Sequence, residues 1–318
     1  MSPALVPLAV LAGALALDLV FGDPPNRWHP VAWLGTLIAM ARRRLAHGSS
    51  GWLLVSGALV TLALVVLAAC VGVLVVRAAA HLGAAGLVLE GVALWCCLSV
   101  RALWCAAADV AAHLAVGNLP GARRALAWHL VSRPTAELGE GEIAAAAVES
   151  VAENLTDSVV APALMYLVFG LPGAMVYRAV NTADAMLGYR KGALEHFGKL
   201  AARADDLLNL VPARVAALAI VAAAALVRAA PARALAILWR DHGRTASPNA
   251  GWTMAAMAGA LEVRLVKRDA YVLGDGALPS AEHIRRSLTV MVTAAAVALG
   301  AAVVVVMSCS YNTINSTN

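Results

Sequence analysis

Long apolar runs separated by short polar stretches set the pattern of this chain. Hydrophobic segments at 4–21, 52–76, 87–108 and 288–307 approach or exceed the roughly 20 residues that a helix needs to cross a bilayer. These are four firm spans. Two further apolar segments, 159–176 and 211–227, carry residues that a plain span avoids: Gly170, Pro172 and Gly173 in the first, Pro212 and Arg214 in the second. Broken helices are tolerated at membrane depth where protein covers them or where they line a polar cavity. The pattern therefore predicts an all-α, polytopic helical integral membrane protein with four firm spans and two broken or re-entrant segments. It reads as one helical domain with polar loops at 18–50, 109–157, 178–214 and 228–287 and a disordered tail at 308–318.

Composition agrees. Of 318 residues, 61% are hydrophobic and only 14% charged, against about 25% in soluble domains. Alternating strands separated by turns are absent, which argues against an outer-membrane barrel. The first apolar run lacks a positive leading region and a small-x-small cleavage site, so it reads as a retained span and not a signal peptide. The formal charge of +5 belongs to loops, with no basic run interleaved with aromatics, so nucleic acid is not an expected partner. The segments 23–50, 109–157 and 228–287 hold most of the Lys and Arg, which the positive-inside rule puts in the cytoplasm. Segment 178–210 adds five basic residues, which favours the same side. Four of the five cysteines lie inside apolar runs, and their spacing matches no zinc pattern.

The unusual polar chemistry lies between 148 and 214. Glu149, Glu153 and Asp157 fall at i, i+4 and i+8, one face of a helix, with Asn154 beside them. Like charges at that spacing destabilise a helix by a few tenths of a kcal/mol, so arginines or a divalent cation should offset them. Asn181 and Asp184 share a face, followed by Tyr189 and Arg190. Asp205, Asp206, Asn209 and Arg214 form another oxygen-rich group. Mg²⁺ suits such groups, because it takes one or two carboxylates together with water and substrate phosphates. Glu153, Asp157, Asp184, Asp205 and Asp206 are the expected metal ligands. Arg178, Arg190 and Arg214 are expected on phosphate. A shared site requires Glu153, Asp184 and Asp205 to surround one cavity. A solvated acidic face is the alternative.

Two flanking motifs complete the set. The loop at 18–30 is turn-rich, with Asp23 and His29 each preceding proline. It reads either as a turn with Trp28 and Trp33 as interfacial anchors or as a rigid loop presenting Asp23 and His29 to a ligand. Ser247, Asn249 and Gly251 open a small-residue helix whose N-terminal N–H groups could bind an anion, the alternative being an ordinary cap. No Walker A motif is present; the stretch 192–199 misses it by one residue and by Leu200.

The pieces DLVFGDPPNRWHPVAWLG, AVESVAENLTDSVVAP, PGAMVYRAVNTADAMLGYR, FGKLAARADDLLNLVPAR and SPNAGWTMAAMAGAL occur in this order. Together they closely resemble the CobD/CbiB family of cobalamin-biosynthesis membrane proteins, the adenosylcobinamide-phosphate synthases. The resemblance implies a carbon–nitrogen ligase that joins (R)-1-amino-2-propanol O-phosphate, or a related amino alcohol, to the free propionate of adenosylcobyric acid. ATP and Mg²⁺ are the implied cofactors and the corrinoid a substrate. The bacterial inner membrane is the implied location, with the site facing the cytoplasm and other membrane proteins of the pathway as candidate partners. It assigns catalytic duty to Asp23, His29, Glu149, Asn154, Asn181 and Tyr189. Substrate or phosphate contacts fall to Arg133, Arg178, Arg190, Arg214, Asn209, Ser247, Asn249 and Gly251. The chain departs from the family pattern at Pro134, where Asp is common after the arginine, and at Thr253, where Pro is common after the tryptophan. Two rival classes are an AmpE-like membrane signalling protein and an aspartate-rich intramembrane prenyltransferase. The second expects an aspartate where Gly188 stands. A transporter is a weaker third, since no inverted repeat is visible.

Overall fold

A computed structural model describes residues 5–316, with side chains to residue 308. Along the chain run α1 (Leu5–Phe21), α2 (Pro30–Leu45), α3 (Ser50–Ala80), α4 (Ala84–Trp95), α5 (Val100–Ala115), α6 (Leu119–His129) and α7 (Glu140–Leu155). A π-helical turn (Thr156–Val160) joins α7 to α8 (Ala161–Leu187). Then come α9 (Leu194–Phe197), α10 (Lys199–Leu208), α11 (Leu210–Leu226), α12 (Pro231–Asp241) and α13 (Ala250–Leu261). The hairpin β1 (Leu265–Lys267) and β2 (Tyr271–Leu273) precedes α14 (Ala281–Ser316).

The chain is a polytopic helical membrane protein. Four helical stretches are long and apolar enough to cross a bilayer: Ser50–Ala80, Ala84–Ala115, Glu140–Leu187 and Ala281–Ser308. The pair α10 and α11, bent by 49° at Asn209, is apolar enough only when taken together, as a broken span or a re-entrant loop. Three expectations change. The first apolar run forms a helix of 17 residues, about 26 Å at 1.5 Å per residue and so short of the roughly 30 Å hydrocarbon. The segment around 159–176 belongs to a 48-residue helical stretch instead of standing alone. Its break is real, because Gly170 adopts φ 68° and ψ −167°, open to a residue without Cβ, and Pro172 follows. The backbone of α14 also stays helical to Ser316, over most of the tail read as disordered. Extending a formed helix is easier than nucleating one. Thr317 and Asn318 lie outside the described residues.

By contacts the chain divides into two compact units, residues 1–99 with 161–209 and 303–318, and residues 100–160 with 210–302. In the first, α8 packs on α3, α2 and α10, and α1 packs on α4. Ile38, Leu53, Leu64, Leu187 and Phe197 form a buried cluster there. Two glycines of α3 set the spacing: a Cβ at Gly57 would lie 1.9 Å from the Phe197 carbonyl oxygen, and one at Gly72 would lie 2.6 Å from Pro172 Cα. The opposite side of α3 leaves Leu54, Val55, Leu59, Leu62, Val66 and Leu74 exposed, the apolar surface that lipid covers.

In the second unit, α13 packs on α12, α11 and α7. Its core is built from alanine: Ala216, Ala217, Ala223 and Ala224 on α11, and Ala255, Ala256 and Ala258 on α13, are all fully buried. Small residues let membrane helices approach closely. The hairpin is fastened at both ends. Arg268 of its turn pairs with Glu142 on the first turn of α7, and Gly274 donates its N–H to Asp241 at 2.8 Å. Asp241 is fully buried; burial would raise its carboxyl, but hydrogen bonds from Arg240 and Gly274 and the charges of Arg240 and Arg244 hold it below the usual range. Arg240 also reaches Asp275 at 2.9 Å, and Arg233 joins the same carboxylate.

Candidate functional site

The loop ahead of α2 is rigid. The Nδ1 of His29 accepts the N–H of Val31, capping α2, and Pro30 fills the first helical position. The indole of Trp33 donates to the Arg27 carbonyl at 3.1 Å. Asp23 accepts from the hydroxyl of Ser99 at 3.0 Å. Burial holds His29 below the ordinary imidazole value; the carboxylate of Asp23 opposes this and the guanidinium of Arg178 reinforces it. Asp23, His29 and Arg178, drawn from motifs about 150 residues apart in sequence, are therefore electrostatic neighbours. The Nε of Arg178 is buried without a hydrogen-bond partner, a donor available to a ligand.

The α8–α10 contact brings Asn181 to Asp205. Asn181 Nδ2 donates to Asp205 Oδ1 at 3.2 Å and Asn209 Nδ2 donates to Oδ2 at 3.0 Å. The Tyr177 hydroxyl donates to Asn209 Oδ1 at 2.9 Å. Asn209 is buried, its amide oxygen accepting from Tyr177 and its amide nitrogen holding Asp205 in place. Asp206, the next residue, faces elsewhere. It lines a cavity of about 260 Å³ with Tyr189, Arg190, Glu195, Lys199 and Arg203, and lies 3.8 Å from Arg203. Asp184 sits one turn before Gly188, where a Cβ would lie 2.0 Å from its Oδ1. The glycine that breaks the prenyltransferase pattern thus makes room for this carboxylate.

In the second unit, Glu149 and Glu153 line one cavity of about 180 Å³ with Arg133, Lys267 and Tyr271. Glu149 is 6% exposed, its Oε2 lies 3.6 Å from Arg133, and its Oε1 is buried without a hydrogen-bond partner. Burial and the charges of Glu149 and Glu153 push the Tyr271 hydroxyl above its ordinary value, so it stays protonated at neutral pH. Asp157 does not line this cavity. It lies in the π-helical turn, whose wider winding rotates it off the face that ideal α spacing predicts. Asn154 donates to the Ser150 carbonyl at 2.9 Å and lies 3.5 Å from the Ser158 hydroxyl, serving its own helix.

The turn ahead of α13 is closed by its own side chains. Ser247 Oγ accepts the N–H groups of Asn249 and Ala250 at 3.2 and 3.4 Å. Gly251 is required because a Cβ would lie 2.1 Å from the His242 carbonyl oxygen. Arg214 binds the Asn249 side chain and stacks 4.5 Å over the Trp252 ring. Lys267 and Tyr271 escape the sequence reading. Their only local signal is the turn at Arg268–Ala270, where Asp269 adopts a positive φ of 56°.

Among the described residues no group of three or more His, Cys, Asp or Glu lies close enough to cage a metal. The acids instead stand singly or in pairs with amides and arginines, as fits an ion that substrate phosphates help to hold.

Fold and sites together define a polytopic helical membrane protein carrying buried carboxylates beside cation-lined cavities. The chain matches the family described as CobD/Cbib protein over residues 11–310. It is 43% identical over 273 residues to the cobalamin biosynthesis protein CobD of Dehalococcoides mccartyi, covering 86% of this chain and 88% of that protein. The corresponding protein of Rhizobium meliloti is 40% identical over 308 residues, 91% and 94% of the two chains. A probable cobalamin biosynthesis protein CobD of Methanothermobacter thermautotrophicus is 40% identical over 269 residues, 84% and 87% of the two chains. No solved structure matches. The chain belongs to the CobD/CbiB family, and membership places it in cobalamin biosynthesis.

Proposed function

We propose that the protein is a carbon–nitrogen ligase at the cytoplasmic face of the bacterial inner membrane. It joins (R)-1-amino-2-propanol O-phosphate, or a related amino alcohol, to the free propionate of adenosylcobyric acid and consumes ATP. The observation that carries this reading is family membership over residues 11–310 with the acids and amides of the motifs present.

The chemistry follows from the reactants. A carboxylate is a poor acyl donor because oxide is a poor leaving group. Its oxygen attacks the γ-phosphorus of ATP, the bond to ADP breaks, and an acyl phosphate forms. The amine nitrogen then attacks the acyl carbon, phosphate leaves, and the proton of the ammonium passes to a carboxylate. The cavity lined by Arg190, Lys199 and Arg203 suits the polyphosphate, since such side chains pair with phosphate oxygens. Asp206 in that cavity would hold Mg²⁺, which supplies charge neutralisation on the phosphates when bound, with Asp205 beside it in sequence as an outer partner. Asn181 and Asn209 keep Asp205 in one orientation.

Membranes containing the protein, given adenosylcobyric acid, aminopropanol phosphate, ATP and Mg²⁺, should yield the amide mass together with ADP and phosphate. Asp205→Asn should lower the rate by roughly ten- to a hundredfold, the usual effect of disturbing an outer partner of a metal site. Folded protein that makes no amide with all four components present, or that makes it without ATP, rules the reading out.

A further inference from the structure

The cavity between α7 and the hairpin is small and partly open to solvent. At about 180 Å³ it has room for some six waters' worth of ligand. Drug-sized ligands occupy about 300 Å³ or more. Its walls carry both signs of charge. Glu149 and Glu153 line it from one helix face, one turn apart, while Arg133 and Lys267 supply cations. Charges of both signs around one small cavity suit a ligand that is itself a zwitterion.

The charge of Glu149 is half used. Arg133 reaches Oε2 at 3.6 Å and the Tyr271 hydroxyl lies beside the carboxylate, while Oε1, buried in the same wall, has no donor in hydrogen-bond geometry. A buried carboxylate oxygen without a donor costs about 1–3 kcal/mol, which a ligand donor would relieve. The fold also commits the hairpin to this place. Arg268, beside Lys267, is tied to Glu142 on the same helix as Glu149, and Gly274 just beyond β2 is tied to buried Asp241. Lys267 lies exposed and its ammonium sits 5.7 Å from the Tyr271 ring centroid. A mobile surface lysine would need no such anchoring.

We propose that this cavity is the amine subsite: it takes a small molecule bearing one ammonium and one phosphate a few carbons apart. Glu149 Oε1, assisted by Glu153, accepts the ammonium, and Arg133 and Lys267 hold the phosphate. The assignment deepens the ligase reading and rests on it for the identity of the ligand, an amino-alcohol phosphate. During amide formation the ammonium proton passes to Glu149 Oε1 as the nitrogen lone pair bonds to the acyl carbon and phosphate departs.

The test is calorimetry on the purified full chain with no corrinoid and no ATP present. The probes are 1-amino-2-propanol O-phosphate, the same amino alcohol without phosphate, and isopropyl phosphate, which lacks the amine. The zwitterion should bind at least tenfold more tightly than either half. Lys267→Ala, at an exposed position where the fold is not at stake, should weaken the zwitterion about tenfold and leave the phosphate-free amino alcohol unchanged. Glu149→Gln should weaken both amine-bearing probes and spare isopropyl phosphate. ATP binding should be the same in all three proteins. Wild-type affinity for the zwitterion in both variants, or loss of ATP binding in Lys267→Ala instead, overturns the subsite. The amide assay separates the two ideas. Amide formation with Lys267-independent binding refutes the subsite alone, whereas Lys267-dependent binding without amide formation refutes the ligase reading and leaves the subsite standing.

Discussion

His29 shows how one side chain can serve both the fold and the site. Its Nδ1 accepts from Val31, which requires the unprotonated nitrogen. Burial lowers its folded-state value below the ordinary imidazole value of 6.5. The unfolded chain then binds the proton more readily than the folded one, so stability is full above about pH 6.5 and falls as pH drops towards the lower folded value. Thermal unfolding in detergent between pH 7.5 and 5 should show this loss. His29→Asn keeps a cap acceptor and should flatten that part of the profile. His29→Ala should cost about 1 kcal/mol at neutral pH, through the lost cap. A profile unchanged by His29→Asn would show that the acid sensitivity lies elsewhere.

At the same scale, much of the site could be read in advance. Turn chemistry marked Asp23 and His29, and i, i+4 spacing put Glu149 with Glu153. Asp157 could not be placed, because a π turn changes the winding and leaves no mark in the spacing. Lys267 and Tyr271 were invisible for another reason. Their role comes from Arg268 and Glu142, 126 residues apart, pinning the hairpin on α7.

Helices meet here through small residues, and the cost of enlarging them depends on what lies opposite. A Cβ at Gly57 would lie 1.9 Å from backbone oxygen at Phe197, whereas nothing lies within 4 Å of one at Gly51 on the same helix. Gly57→Ala should therefore push α3 from α9 and destabilise by about 1–3 kcal/mol, the range for overpacking. Helix propensity alone favours alanine by about 1 kcal/mol, so Gly51→Ala should be neutral or stabilising. Melting of the two variants in detergent checks the contrast; equal melting temperatures would contradict the close approach. Helix existence was legible from apolar runs. The break at Gly170 was legible from Gly and Pro, while the continuity of the 48-residue stretch around it was not. A hydropathy plot sees Glu140–Leu155 as only weakly apolar, although 11 of its 16 residues are buried by neighbouring helices.

The whole molecule must place its charge relative to the membrane. Glu140–Leu187 would measure about 72 Å if straight, more than twice the hydrocarbon thickness. Gly170 interrupts it with a backbone conformation that no helix contains, and α10 and α11 bend by 49° at Asn209. Between these two breaks lie Arg178, Arg190, Lys191, Lys199 and Arg203. The positive-inside rule disfavours carrying five such groups outward. If the basic cavity containing Arg190 and Lys199 takes ATP as proposed, it must face the compartment where ATP is found. Segment 178–210 should therefore face the cytoplasm with 109–157 and 228–287. Lys191, Ala136 and Ala277 are all exposed. In a background lacking the five native cysteines, Lys191→Cys, Ala136→Cys and Ala277→Cys should each resist a membrane-impermeant maleimide in intact cells and react in inverted vesicles. Labelling of Lys191→Cys in intact cells, with the other two protected, would mean that the broken stretches cross fully, and would separate the basic cavity from cytoplasmic ATP.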